Sequence, residues 1–329
     1  MTTLFGVFLL TLLVVTAVAI VRTTDLFAAT MLSGIFSLLM AANFFLLDAA
    51  DVALTEAAVG AGVSTVLFLG ALALTGSTER PGLSNRGLPL ALVVATTLTL
   101  IYATFDKPRL GDPQAPVHQH VAPWYLENTY ELIGIPNVVT AVLGSFRGYD
   151  TLGEVFVVFT AGIGVLFLMS AGGRSLLPLT GPAGADTAGL KHHLLPRAVG
   201  KLVLPFILLF GLYVQFHGEY GPGGGFQAGA IVAAGVILYA LLEGETEALK
   251  VVPPSVLLAL LAGGALLYTG VGIVCMLLGG SFLEYSVLFP DPKDGQHYGL
   301  IMIELGVGVT VTGVLLSIFH AFAARENPR

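Results

Sequence analysis

The sequence predicts an all-α, polytopic integral membrane protein with about nine transmembrane helices, and three observations carry that prediction. Hydrophobic residues make up 55% of the chain and charged residues only 11%, against roughly 25% charged in a soluble domain. The mean hydropathy of +0.88 excludes a water-soluble core. Apolar runs of bilayer-crossing length, about 17–25 residues, recur from one end to the other. The net charge of -7 leaves no basic patch for nucleic acid.

In order, the runs fall near 4–21, 26–47, 52–75, 88–104, 152–171, 199–217, 226–242, 254–279 and 298–321, with 88–104 the shortest. The first is a poor signal peptide: Met1-Thr2-Thr3 carries no positive charge, although Ala17-Val18-Ala19 resembles a cleavage site. The run 132–146 is too short to cross and reads as an interfacial or re-entrant helix opened by Pro136 and Asn137. The single cysteine, Cys275, excludes a disulfide, a CxxC zinc site and iron–sulfur ligation within the chain.

Lysine and arginine set the orientation. Arg22, Arg80, Arg86, Arg174, Lys191, Arg197, Lys201, Lys250, Arg325 and Arg329 fall on one side, and only Lys107, Arg109, Arg147 and Lys293 on the other. The positive-inside rule then places the N-terminus outside and the C-terminus inside. Two polar stretches on the inner side, 76–87 and 172–197, divide the chain into modules 1–80, 81–180 and 181–329, with three, two and four spans. The outer loop 105–131 carries four prolines with Trp124, Tyr125 and Tyr130, and suits an ordered cap or interface belt as well as a binding site.

The chemistry rests on acids inside greasy helices. A charge at mid-membrane costs roughly 2.5–3.5 kcal/mol on insertion scales, so such residues face a cavity or a partner. Asp48 and Asp51 open the third span, where they are either helix-end caps or members of an ion path. Glu56, counted from Val52, lies about one turn or 6 Å inside the span and is harder to explain as a cap. Glu154 enters the fifth span either as a helix-start residue, with Asp150 or Thr151 capping, or as a second membrane acid. Glu304 sits about two turns inside the ninth span and has few structural explanations.

Between spans six and seven runs His217-Gly218-Glu219-Tyr220-Gly221-Pro222-Gly223-Gly224-Gly225-Phe226. Its glycines fit a loose dinucleotide fingerprint, but no strand precedes them, so that match is rejected; a phosphate loop is absent too. What remains is either a solvated turn or irregular backbone lining water, with His217 able to change charge near neutral pH. His118 and His120 form an isolated pair without further ligands, and no metal or cofactor site is assigned; His192, His193, His297 and His320 read as interfacial. Spans three, five and nine all begin outside. The expectation is that Glu56, Glu154 and Glu304, one from each module, form a layer in the outer half of the membrane, with His217 at the same level.

At these residues the chain resembles a known family. Leu47 to Leu69 is similar to the D subunit of membrane-bound hydrogenases, itself matching the C-terminal part of the Mrp antiporter A subunit. Asn137 to Leu168, with Phe146-Arg147-Gly148-Tyr149-Asp150-Thr151-Leu152-Gly153-Glu154, resembles the E subunit that follows it. The segment from His217 through Pro222-Gly223-Gly224-Gly225-Phe226 to Glu304-Leu305-Gly306-Val307 resembles the Mrp B subunit. The resemblance implies a fused subunit of a multisubunit Na+/H+ antiporter related to the membrane arm of complex I, in a prokaryotic plasma membrane. It implies relay roles for Glu56 and Glu154, a bend allowed by Gly60 and Gly62, and a cation route near His217, Pro222 to Gly225 and Glu304. Implied partners are large antiporter-like subunits and small C-, E-, F- and G-type subunits, with Na+ and H+ as the ions.

Two positions depart from the family pattern: Ala50 replaces a proline before the second aspartate, and Tyr220-Gly221 replaces an asparagine before the Pro-Gly-Gly-Gly run. No lysine lies at mid-membrane, so the chain is expected to need partners that supply the main pump modules. Two further readings stand beside the antiporter: the same module in a redox-driven or carbon-uptake complex, and a scaffold for larger subunits. No nucleophile–base pair or cofactor motif supports an enzyme.

Overall fold

The computed structural model describes residues 2–79, 87–109, 111–170 and 193–324. Arg80, Arg86, Arg174, Lys191, Arg325 and Arg329 of the charge asymmetry, His192, and most of the two polar stretches lie outside them. Among the described residues there is no strand, only one isolated bridge between Asp25 and Thr78. Nine helices there are long and apolar enough to cross a membrane.

The first three are α1 (Thr2–Arg22), α2 (Leu26–Leu46) and α3 (Ala50–Thr75). Asp25 caps α2, its carboxylate accepting from the Phe27 amide at 2.9 Å. In α3 residues 56–63 are π-helical, the Ser64 amide reaching back five residues to the Val59 carbonyl. Such widened turns concentrate at functional sites because they rotate side chains off the regular face. The helix α4 (Gly87–Thr104) buries none of its residues.

After α4 comes α5 (117–132), whose Trp124 and Tyr125 pack edge-on and tilted against Phe146 of the short α6 (138–146). The helix α6 starts where the sequence places it, with the Asn137 side chain accepting from the Val139 and Thr140 amides. The remaining helices are α7 (Gly148–Ser170), α8 (Leu194–His217), α9 (Gly225–Glu243), α10 (Glu245–Val251), α11 (Pro254–Leu277) and α12 (Pro292–Ala323).

The axis of the molecule is α12. Its 32 residues span about 48 Å, well beyond a hydrocarbon core of roughly 30 Å. Buried residues along it join two apolar clusters. Leu300, Ile303 and Val307 pack with Tyr268 of α11 and Tyr285, while Val314 and Leu316 pack with α3, α7, α9 and α11 through Val63, Leu166, Ile237 and Leu261. The helix α12 begins six residues before the apolar run, so Glu304, about two turns into that run, lies about 18 Å from the start of the helix.

Two expectations are corrected. The fifth span is not capped at Asp150 or Thr151, since α7 already starts at Gly148. Asp150 instead pairs with Arg147, and the Thr151 hydroxyl donates to the Leu143 carbonyl at 2.8 Å. Glu154 is thus a second-turn residue with no capping role. His320 is not interfacial but fully buried, with Nδ1 3.7 Å from Glu245 of α10.

Candidate functional site

Four carboxylates from three parts of the chain line one cavity of about 660 Å³. Asp51 comes from the start of α3, Asp150 and Glu154 from α7 and Glu304 from α12. Asp150 is paired with Arg147, which leaves Asp51, Glu154 and Glu304 without a basic partner in the lining, and Thr55, Thr140, Thr151, Gly223, Gly224 and Gln227 are among its other polar members. Of the three acids expected to share a layer, Glu154 and Glu304 line this cavity and Glu56 does not. Asp51, not Glu56, represents the first module in it.

The glycine loop explains how these acids are held. Pro222 to Gly224 deliver the chain to the first turn of α9 with its amides pointing at the carboxylates. The Gly225 amide donates to Glu304 Oε2 at 2.6 Å and the Gly223 amide to Asp51 Oδ1 at 3.3 Å. Free N–H groups at a helix N-terminus, together with the helix dipole, favour negative charge there. The fold needs glycine at this approach. Gly224 has φ +130, and a Cβ on Gly225 would lie 2.3 Å from the Glu304 carbonyl oxygen. Irregular backbone at this point lines the cavity, where lipid cannot reach its polar groups.

Asn137, which the sequence marks only as a helix start, and several residues not singled out there tie the modules together here. The Asn137 amide nitrogen Nδ2 donates to the Gly218 and Gly221 carbonyls at 2.7 and 3.0 Å, and the Thr140 hydroxyl to Gly218 at 2.6 Å. Gln227 Nε2 donates to the Asp51 carbonyl at 3.4 Å. The Tyr268 and Tyr285 hydroxyls donate to the Gly148 and Gly144 carbonyls, both at 2.9 Å, and so pin the start of α7 beneath Glu154. Gln227 leaves one trace in the sequence: a polar amide in the first turn of an apolar run. The others are unremarkable polar residues until the fold gives them partners.

The remaining candidates lie apart. Asp48 is exposed in the turn between α2 and α3, with φ 59. His217 is half-buried at the end of α8, stacked on Tyr213 at 4.7 Å, and lines a separate shallow pocket with Leu209, Leu212 and Phe216. Glu56 is turned toward α2 inside the π-helical segment. A Cβ on Gly60 would meet Glu56 Oε1 at 2.6 Å and Ser37 Oγ at 2.8 Å, whereas one on Gly62 would lie 3.5 Å from the nearest atom, the Ala57 carbonyl oxygen. Gly60 therefore makes room for the carboxylate, and Gly62 does not. Gly60→Ala is expected to push the Glu56 carboxylate aside at a modest cost in stability, since the atoms in its way are the mobile ends of the Glu56 and Ser37 side chains rather than backbone. Gly62→Ala should be neutral or slightly stabilising, since alanine is the better helix former by about 1 kcal/mol. Thermal unfolding of the two variants in detergent checks the contrast.

Asp51, Glu154 and Glu304, without the basic partner that Asp150 has in Arg147, would repel one another if all were ionised in a poorly screened medium, and a bound cation or a proton relieves that repulsion. Among the described residues no cluster of three histidine, cysteine or acidic side chains is placed to hold a metal ion.

Fold and site define a class: polytopic membrane proteins that gather carboxylates at helix junctions within the bilayer. Family models extend this. Residues 195–317 match the domain related to the MnhB subunit of Na+/H+ antiporter, residues 11–77 match MbhD, the D subunit of MBH, and residues 86–172 match MbhE, the E subunit of MBH. The chain is 35% identical over 134 residues to the "Putative antiporter subunit mnhB2" of Staphylococcus haemolyticus, covering 40% of this chain and 94% of that one. It is 26% identical over 330 residues to the A/B subunit of a probable K(+)/H(+) antiporter of Rhizobium meliloti, covering 90% and 32%. In structure it resembles a chain of the Mrp complex from Dietzia sp. DQ12-45-1b, with TM-score 0.74, 27% identity, and coverage of 96% and 34%. The chain belongs to the Mrp antiporter-subunit family, as a fusion of A-type and B-type segments. It spans about a third of the length of the Rhizobium and Dietzia chains.

Proposed function

We propose that this chain is a membrane component of a multisubunit monovalent cation/proton antiporter in a prokaryotic plasma membrane, and that Asp51, Glu154 and Glu304 exchange a proton for a cation in the shared cavity. The observation that carries the reading is the convergence of carboxylates from all three segments on that cavity. Glu56, one helical turn and more below Asp51, continues the path along the α2 side of α3. The charge asymmetry supports an outward-facing cavity. Domains 1–80, 81–180 and 181–329 then act as one device, with the glycine loop of the last holding acids of the first and third.

Assembly is part of the proposal. Glu154 is exposed on the surface of α7, and a carboxylate at membrane depth requires a polar partner or water. Large antiporter-like subunits and small C-, E-, F- and G-type subunits are the partners that would cover it and supply the main proton paths. The chemistry is transport, with Na+ and H+ as the exchanged ions and no covalent step. A second reading, the same module driven by a redox reaction, is favoured by the matches to the D and E subunits of MBH.

The test is cation-driven proton movement in inverted vesicles holding the whole complex. Glu56→Gln and Glu154→Gln should each lower the rate by tenfold or more, on the order of what a positioned proton-transfer group contributes. Partner pull-down should show normal assembly. Unchanged transport in both variants would leave the chain a scaffold.

A further inference from the structure

A second cavity, of about 450 Å³, opens on the same end of the bundle and is lined by Tyr130, Glu219, Tyr220, Lys293, Asp294 and His297 among others. Neither Glu219 nor His297 belongs to the carboxylate cavity. His297 Nδ1 lies 2.6 Å from Glu219 Oε2, a short charge-assisted contact, and the Glu219 side chain is only 9% exposed. Its other oxygen, Oε1, is buried without a hydrogen-bond partner. A buried carboxylate oxygen left unpaired is destabilising, and a proton or a cavity water relieves it. Burial raises the affinity of Glu219 for a proton above that of an ordinary carboxyl, while His297 opposes the rise.

The surroundings select the ligand. Lys293 hangs over the Tyr130 ring at 5.6 Å, and its ammonium opposes a resident metal cation. Asp294 is the remaining charged group in the lining, Tyr130 and Tyr220 supply hydroxyls, and Tyr298 packs edge-on against the His297 ring at 5.0 Å. A proton suits this environment better than a sodium ion.

The pair is also wired to the other cavity. The Glu219 carbonyl accepts from the Asn137 amide at 2.9 Å, and Asn137 and Thr140 clamp the flanking carbonyls of Gly218 and Gly221. The same loop then presents Gly223 and Gly225 to Asp51 and Glu304. Three segments, around 134–143, 219–227 and 293–304, contribute to both linings.

We propose that the Glu219–His297 pair is a proton-loading site in this vestibule, distinct from the carboxylate cavity that it serves. A proton leaves a hydronium ion in the vestibule, resides on the pair, and passes to water leading to Glu304. The proposal rests on the proton-translocating reading of that cavity.

The experiment is infrared difference spectroscopy of the purified whole complex during a pH titration, joined to vesicle transport. A carboxylic-acid carbonyl band should titrate in wild type, vanish in Glu219→Gln and survive in Glu304→Gln. In His297→Ala it should titrate at higher pH, since the opposing imidazole is gone. Proton transport should fall about tenfold in Glu219→Gln with a displaced pH profile. An unchanged band in Glu219→Gln overturns the proposal, as does a uniform fall in rate with no change in profile. Loss of the band on adding Na+ at fixed pH would overturn it too, making this a cation site instead. Transport absent in wild type but a normal titrating band would sink the antiporter reading while preserving the pair as a proton site.

Discussion

Glu304→Gln is expected to abolish cation-driven proton movement, by about a hundredfold or more, while the complex still assembles. Glu304 meets two independent requirements. It lies some 18 Å along a central helix that packs on both apolar clusters, so its position is rigid. Its carboxylate accepts a 2.6 Å bond from the Gly225 amide at the mouth of α9, and it faces Asp51 and Glu154 across the same cavity. Glutamine keeps the size and can still accept that bond through its amide oxygen, but it cannot carry a proton or charge. The measurement is the rate in vesicles set against recovery of the partner chains in pull-downs. A rate within about twofold of wild type, far short of the loss expected for a proton-transfer group, would remove Glu304 from the path.

Gly225→Ala should be nearly as damaging by a different route. The added Cβ would lie 2.3 Å from the Glu304 carbonyl oxygen and 2.7 Å from the Gly308 amide nitrogen. Backbone atoms of a packed helix cannot swing aside, so α9 must move off α12. The overpacking costs about 1–3 kcal/mol, and weakening a hydrogen bond to a charged group costs about 1.5–3 kcal/mol more. The expected result is a lower melting temperature, poor incorporation into the complex, and lost transport in whatever assembles. Full stability and normal transport would show that the close approach of α9 to α12 does not matter.

Much of this molecule is legible in one dimension, for reasons that concern lipid. Hydrocarbon forces backbone polar groups to pair within a span, so nine long apolar runs translate into nine helices among the described residues, with ends within a few residues at most positions. The exceptions are informative. Hydropathy places the start of α12 six residues late, because Pro292 to His297 is polar yet helical, with Asp291 as cap and proline in the first turn. It places the start of α7 late because Asp150 and Thr151 look like caps, whereas they bond Arg147 and the Leu143 carbonyl. Local capping patterns do not reveal that a neighbouring segment already satisfies the side chain.

The acids Asp51, Glu154 and Glu304 and the Pro222–Gly225 turn are also legible, because charge and glycine are conspicuous in apolar sequence. Their grouping is not. Depth along the membrane follows from counting residues, but the direction a side chain faces depends on helix rotation. In α3 that rotation is altered by the π-helical stretch 56–63, which turns Glu56 to Ser37 of α2 and leaves Asp51 at the cavity. The Glu219–His297 pair is out of reach for the same reason. Its members are 78 residues apart, and each looks like an ordinary surface residue beside a membrane span.

The sequence by itself thus determined the membrane class, the span count and the short catalogue of unusual acids, because each follows from composition and spacing along the chain, while its motifs carried the resemblance to the antiporter subunits. The tertiary structure alone decided which acids share a cavity, that the glycine loop holds them through its amides, and where a histidine meets a buried carboxylate. Those facts depend on helix rotation and on packing between distant segments, and no local pattern encodes either.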